Sequence, residues 1–432
     1  MESIWTGTAT KKNFEQLRGD KKTDVLIIGG GITGILCAYM LKSSGVDCIL
    51  AEADEICSGI TKNTTAKITL QHGFIYDKII KKYGTALAQQ YYCSQRQAIE
   101  KYFELSKQID CDFEFKDNYV YSIEDWEAVE DELEAILRIG GRAEYEEKLP
   151  LGFSVAGAVK TERQAEFNPL KFCYALASEL NIYEKTRIID IGRDGAVTNH
   201  GSIKAKKIIV ATHFPAIDRY GAYFIKMYQH RSYVLALKNA PDLKGMYVDE
   251  NKKGLSFRNY GKYLLLGGGS HRTGKKGGSY NELEKVALEL YPDAVPVTRF
   301  ATQDCMTLDG MPYIGRYSKN TPNLFVATGF NKWGMTSAMV AATLLCDLVQ
   351  EKQNDYKELY NPSRSIIHPQ LAINLSESLV GMLTPTVPRC PHLGCALKYN
   401  KAEHSWDCPC HGSRFSADGN LIDNPASKDK KL

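Results

Sequence analysis

An uninterrupted apolar run, Val25 to Ile28, opens the structured part of the chain. Such a run predicts a strand buried on both faces of a parallel sheet. A glycine-rich turn at 29–34 and a helical stretch at 35–42 follow, then a second strand at 47–51 that ends at Glu52. Helical spacing covers 86–105 and 124–138, and a further helix is predicted between Asn168 and Leu180. Strand character returns at 186–191, ahead of an Asp194-Gly195 turn, and again at 206–212. From Tyr220 to Gly269, aromatic and β-branched residues alternate between glycine-containing turns, which predicts an antiparallel sheet. A last apolar strand at 324–328 precedes a well-patterned helix over 335–350. Residues 361–388 read as a linker. From Cys390 onward the composition shifts to Cys-Pro pairs and glycine turns with few helix formers. There is no internal repeat, and the lysine-rich 427–432 predicts a frayed end.

Composition narrows the class. The chain has 432 residues, 44% of them hydrophobic, with 25 Tyr and 15 Phe, enough core-forming surface to exclude disorder. Its net charge is only +3, and the basic residues are scattered, so nothing points to nucleic acid or an anionic membrane. The apolar runs near 25–28 and 339–345 fall far short of the ~20 residues that span a bilayer. Residues 1–20 lack the apolar core of a secretory signal, so the expected compartment is the cytoplasm. Of 12 cysteines, most are scattered in apolar settings, but Cys390, Cys395, Cys408 and Cys410 cluster near the C-terminus. In a cytosolic chain such a cluster reads as a metal or redox site before a disulfide framework.

Gly29, Gly31 and Gly34 form G-x-G-x-x-G between a strand and a helix, with Glu52 closing the next strand. The first glycine permits the tight turn, the second lets backbone approach a pyrophosphate, and the third lets helix and strand pack closely. The helix N-terminus offers N–H groups to the phosphates, and Glu52 suits a ribose diol. FAD and NAD share this fingerprint. At these residues, with Ala211-Thr212 and the pairing of 309–315 with 327–330, the chain resembles the FAD-dependent glycine oxidase and D-amino-acid oxidase group over roughly 23–350. The resemblance implies FAD, with Ile188 touching the adenine and Gly329, Gly334 and Thr336 at the isoalloxazine. It places a flavin-covering loop at 59–67, whose wording departs from that of the oxidases. It also puts His72, His230, Arg231, Tyr233, His271, Arg272 and Trp333 in pocket-building segments, where Arg231 or Arg272 would clamp a carboxylate. Most of these also suit plain structural roles, and no catalytic base is assigned.

The words Cys390-x-His392 and Cys408-x-x-His411 carry the second signal. Two Cys and two His also suit zinc, and that alternative stays open on the residues alone. The alternating order, the Pro and Gly flanks and Trp406-Asp407 resemble Rieske 2Fe–2S proteins, in which two Cys hold one iron and two His the other. The resemblance implies Cys390, His392, Cys408 and His411 as ligands and a disulfide between Cys395 and Cys410. It implies Ser413 as a donor to a bridging sulfide and 424–426 as a covering proline loop. Phe415 stands where the family has a hydroxyl-bearing tyrosine. Only about 25 residues separate the linker start near Arg364 from Cys390, so much of the usual β base is missing, and the cluster loops are expected either to fold against the flavoprotein or to hold an unstable cluster.

The expected architecture is α/β, with a doubly wound FAD-binding domain, an antiparallel-sheet substrate domain and a small, shortened all-β Rieske module. The FAD-dependent oxidoreductase domain spans 1–360, with FAD-binding parts at about 23–75, 155–215 and 300–350 and substrate parts at about 76–154 and 216–299. A linker at 361–388 leads to the Rieske module at 389–432. The expected activity is oxidation of a C–N bond in a small amine or amino acid, by a dehydrogenase rather than an oxidase. Electrons then pass from FAD to the 2Fe–2S cluster and to a one-electron acceptor protein. The alternatives are a ferredoxin-reductase-like electron carrier, trading electrons with a donor or acceptor protein, and a redox sensor.

Overall fold

The computed structural model describes residues 2–215, 220–251, 254–385 and 388–430. Parts of the expected substrate portion (216–219, 252–253), linker (386–387) and lysine-rich end (431–432) lie outside the described residues.

The strand–turn–helix–strand unit forms as its pattern dictates. Lys21–Ile28 pairs in parallel with Cys48–Ala51 on one side and with Gly201–Val210 on the other. Leu324–Thr328 joins in parallel beyond Gly201–Val210, and Tyr313–Arg316 closes that edge antiparallel. Val25 to Ile28 are buried on both faces, as a central parallel strand requires. The helices Ile32–Ser43 and Gly334–Val349 pack on one face of this sheet, with Ile35, Leu36, Ala338, Leu344 and Leu345 in the shared core. Both helices are apolar nearly all round, which fits their sandwiched position.

A second, nine-stranded sheet runs from Val295–Thr307 through Met227–Lys238, Tyr263–Arg272, Ser256–Tyr260, Gly245–Asp249, Glu114–Ser122 and Gly157–Glu166 to Lys67–Ile68, with Glu144–Glu146 paired beside Gly157–Glu166. Three of its strands, the short Lys67–Ile68 and the longer Gly157–Glu166 and Val295–Thr307, fall wholly or partly in segments expected with the FAD-binding portion. Gly157–Glu166 pairs antiparallel with Glu114–Ser122, and Val295–Thr307 pairs along its whole length with Met227–Lys238. Local pattern assigns neither strand to its sheet, because partners about 35–80 residues away decide it. The helices Tyr76–Tyr83 and Tyr280–Leu290 complete this half and were not foreseen.

The expected linker is not extended. A helix, Pro369–Leu383, occupies most of it, started by proline at its first turn and by the His368 ring, which accepts from the N–H of Gln370 at 3.2 Å. The C-terminal module beyond it is a four-stranded antiparallel sheet of Lys398–Asn400, Ser405–Asp407, Arg414–Ser416 and Leu421–Asp423. Its own core is small and rich in sulfur: Cys390, Cys395, Leu397, Cys408, Cys410, Phe415 and Ala426. A core of that size holds little by itself, and covalent links, metals or a docking surface must supply the rest. Among the described residues, no helix is long and apolar enough to cross a membrane.

Candidate functional site

A cleft of about 1150 Å³ opens above the C-terminal ends of the parallel strands. Gly29, Gly31, Glu52, Ile188, Gly329 and Gly334 all line it, although they come from sequence positions hundreds of residues apart. This is the crevice where open α/β sheets hold their ligands. Gly34 lies behind the wall: a Cβ there would drive into the carbonyl oxygen of Gly29, so only glycine lets the turn and helix close. Glu52 accepts from the N–H groups of Gly30 at 2.6 Å and Asp54 at 2.8 Å. Burial raises its pKa, and those two N–H groups work against the rise. Thr61, from the 59–67 loop, also lines the cleft and accepts from the N–H of Ile32 at 3.0 Å.

Thr336 departs from the other predicted contacts. Its hydroxyl donates to the carbonyl of Thr69 and meets Nε2 of His72, both at 3.0 Å, so the side chain is already engaged. Gly334 and Met335 line the cleft in its place. What Thr336 still offers is its N–H, one of the first-turn donors that have no intrahelical acceptor.

The two cysteine–histidine words fold into matching loops. In each, the first cysteine N–H donates to the sixth residue (Cys390 to the Cys395 carbonyl, Cys408 to that of Ser413), both at 2.8 Å. In each, the fifth residue is a glycine whose N–H returns to the first cysteine carbonyl at 2.9 Å. Gly394 and Gly412 take φ of 77° and 87° to make that turn, a region side chains rarely enter. The loops face one another, tied by the disulfide between Cys395 and Cys410 across 6.6 Å of Cα separation.

Between the loops, four groups converge. The thiol of Cys408 hydrogen-bonds that of Cys390 and, despite burial, pulls the Cys390 pKa down to about 7. The rings of His392 and His411 lie 5.1 Å apart at 86°, and Nδ1 of each is buried with no hydrogen-bond partner. Burial lowers their pKa values to about 4 and about 3, so both rings are neutral. Two buried imidazole nitrogens without partners would be costly, and a metal centre between the loops would satisfy both. The donor set fits a two-Cys, two-His cluster. Ser413 reaches the same point, hydrogen-bonding Cys390 and accepting from the N–H of Ala426 at 3.0 Å.

This centre is docked onto the nine-stranded sheet. Gln229 donates to the carbonyls of His411 at 2.8 Å and Asn424 at 3.2 Å, and Gln303 donates to that of Gly412 at 2.9 Å. The two glutamines bond each other at 2.6 Å, and both are buried. From the module side, Asn424 donates to the carbonyls of Thr212 and Phe214, clamping His213 in a left-handed conformation with φ of 65°. The helix Pro369–Leu383 covers the loops, with Ser378 at 3.4 Å from Nε2 of His411 and the Gly381 carbonyl accepting from Ala396 at 2.9 Å. Leu421, Ile422, Asp423, Asn424 and Ala426 then line the same cleft as Gly29 and Gly329. One module wall is therefore shared by both sites.

The two arginines expected to clamp a carboxylate do something else. Arg231 makes a two-pronged, buried ion pair with Glu403 of the module, and Arg272 donates to the carbonyls of Pro409 and Cys410. Their guanidinium groups are committed to docking. His72 stacks on Trp333 at 5.0 Å and is held between Tyr91 and Thr69. Burial lowers its pKa to about 3, which fits a neutral core histidine. His271 stacks on Tyr233 at 5.8 Å and bonds the Gly269 carbonyl. These candidates do not gather into one pocket. Gln229, Gln303 and Glu403 have no local sequence signal, and Asn424, though part of the expected proline loop, joins them in taking its docking role from a partner over 100 residues away.

Comparison with known proteins agrees with both sites. The family model described as FAD dependent oxidoreductase (DAO) matches residues 24–348, and the Rieske [2Fe-2S] domain model matches residues 352–431. A putative Rieske 2Fe-2S iron-sulfur protein, YhfW of Bacillus subtilis (strain 168), is 35% identical over 494 aligned residues, covering 100% of this chain and 97% of that one. A cytochrome b6-f complex iron-sulfur subunit of Nostoc sp. is 46% identical over 43 residues, 10% of this chain and 24% of that one. Among solved structures, glycine oxidase from Geobacillus kaustophilus superposes with a TM-score of 0.65 at 22% identity, covering 80% of this chain and 99% of that one. L-proline dehydrogenase from P. horikoshii gives 0.67 at 18% identity over 80% and 98%. At such identities the likeness speaks for the fold.

Proposed function

The chain belongs to the FAD dependent oxidoreductase (DAO) family and carries a Rieske [2Fe-2S] domain at its C-terminus, and on that premise we propose that it oxidises a C–N bond of a small amine or amino acid, with electrons leaving through the Rieske module to a one-electron acceptor protein. The observation that carries this reading is the shared wall: module residues 421–424 and 426 line the cleft that holds the nucleotide fingerprint. When bound, FAD supplies a two-electron hydride acceptor that can release electrons singly, and the 2Fe–2S cluster a one-electron carrier.

The chain's residues have distinct tasks in this reading. Gly29, Gly31 and the helix Ile32–Ser43 hold the pyrophosphate, Glu52 the ribose and Ile188 the adenine. Gly329, Gly334 and the N–H of Thr336 border the isoalloxazine, where the positive end of the helix Gly334–Val349 favours negative charge. Cys390 and Cys408 take one iron, and Nδ1 of His392 and His411 the other. Gln229 and Gln303 fix the His411 loop against the sheet, so the separation between the two cofactors is set by rigid elements. Such a fixed exit favours a dehydrogenase, whose turnover is faster with a one-electron acceptor than with oxygen.

Anaerobic purification should give FAD together with iron and sulfide in equal amounts and a 2Fe–2S EPR signal after dithionite reduction. Amines or amino acids should bleach the flavin. Stoichiometric zinc without iron would overturn the cluster, and bleaching only by a reduced partner protein would favour the carrier.

Phe415 offers a finer check. It is fully buried in the module core beside the cysteines, and it has no hydroxyl. Hydrogen bonds to cluster sulfurs stabilise the more negative, reduced state. Phe415→Tyr is therefore expected to raise the potential by tens of millivolts, a fraction of the about 1.5–3 kcal/mol that a bond to a charged group contributes. Voltammetry showing no change or a fall would place residue 415 away from the cluster.

A further inference from the structure

Asp304 stands in the strand Val295–Thr307, opposite His230, and lines the cleft with Cys305, Gly329, Phe330 and Asn331. That is the end assigned above to the isoalloxazine. Several carboxylates of the cleft wall are bonded from within the protein: Glu52 by two N–H groups, Glu55 by Lys11, Asp54 by Lys185 and Asp423 by Arg414. Among the described residues none donates a hydrogen bond to the Asp304 carboxyl group or forms an ion pair with it, its backbone alone being engaged in the strand ladder. Lys332 and Arg231 act on it only at a distance, and burial pushes its carboxyl up to about 6. Nζ of Lys332 is bonded to Ser270 at 2.6 Å, and Arg231 is engaged with Glu403.

Asp304 is half-buried and faces the cleft with no protein donor on its carboxyl group, so a ligand entering there displaces its water, and a cationic ligand is the chemical class that offsets that cost. The guanidinium groups that would have received a substrate carboxylate, Arg231 and Arg272, are spent on the C-terminal module. The charge facing the reacting end of the cleft is thus the reverse of what an α-amino acid's carboxylate needs. We propose that Asp304 binds the substrate's protonated nitrogen, and that the substrate is a positively charged amine without a carboxylate on the reacting carbon. This rests on the C–N oxidation reading above and narrows its substrate class. Asp304 is a binding residue here: it holds and orients the ammonium group beside the flavin, and the nitrogen releases its proton to solvent before the hydride leaves the adjacent carbon, a transfer that needs the nitrogen lone pair.

The test uses the full-length protein with both cofactors and three matched probes: n-pentylamine, norvaline and pentanoate. Each is titrated while the flavin absorbance is followed. Pentylamine should perturb or bleach the flavin, norvaline should bind about tenfold or more weakly, and pentanoate should not respond. Asp304→Asn should weaken pentylamine by a similar factor while FAD content and the EPR signal stay intact, and Asp304→Glu should recover part of the loss. Norvaline or pentanoate binding as tightly as pentylamine overturns the proposal, as does an unchanged pentylamine affinity in Asp304→Asn. If norvaline bleaches the flavin equally in wild type and Asp304→Asn, C–N oxidation stands and the role of Asp304 falls. If no amine or amino acid bleaches wild type and a reduced partner protein does, the underlying reading falls with it.

Discussion

Cys408→Ser is expected to abolish the iron–sulfur centre and to collapse turnover with one-electron acceptors, while substrate still bleaches the flavin. Cys408 is buried, its sulfur lies against that of Cys390, and its loop sets the position of His411. A serine hydroxyl nearly fills the space but is a poor ligand for iron, so the change removes coordination with little change in volume. The nucleotide fingerprint at 29–34 and the wall at 329–334 lie on other elements, so FAD content should stay near one per chain. Even residues that merely support a metal ligand alter affinity or activity by about 10–100-fold, and loss of a ligand should exceed that. Stopped-flow absorbance on wild type should show flavin bleaching before cluster bleaching, and the variant only the first phase. Full turnover of Cys408→Ser with every one-electron acceptor would mean that electrons leave elsewhere.

Glu403→Gln is expected to loosen the module from the sheet without touching any ligand. Glu403 sits between two buried guanidiniums, accepting from Arg231 on the sheet and from Arg414 within the module. Burial works against charge on Arg414, yet Asp407, Glu403 and Asp423 together raise its pKa. After the substitution Arg414 keeps Asp407 and Asp423, so the module's own strands stay paired. Arg231 has no such reserve among its described ion pairs and becomes a buried cation facing a neutral amide. Breaking a buried pair in this way costs about 3–5 kcal/mol, and the cost falls on the dock. Hydrogen exchange should rise in 403–416 and in the Met227–Lys238 strand, and flavin-to-cluster transfer should slow while substrate bleaching is unchanged. Because the pair is shielded from solvent, added salt should do little to wild-type docking. Unchanged exchange and transfer would show that the glutamine contacts alone hold the module.

The cofactor class of each half is legible in local residue patterns. The fingerprint Gly29, Gly31 and Gly34 with Glu52 lies within one strand–turn–helix–strand unit, and backbone sterics and short-range pairing dictate such a unit. The cluster words 390–395 and 408–413 are likewise local, because each loop closes on its own hydrogen bonds and glycine turn. The helix Pro369–Leu383 was legible in part: a proline following His368 at the head of an apolar-spaced run is a start signal.

Where the module docks, and what its neighbours do, emerges from long-range packing alone. Gly157–Glu166 and Val295–Thr307 carry ordinary strand patterns, and nothing local in them selects one sheet over the other. Arg231 and Arg272 look like carboxylate clamps until Glu403, Pro409 and Cys410 are seen to occupy them. The module's core is too small to stand on its few buried residues, so its missing β base is replaced by the flavoprotein's own sheet. Gln229 and Gln303 meet a loop that is over 100 residues away in the chain. Such contacts depend on long-range register and on the burial that results from it, and residue pattern alone encodes neither.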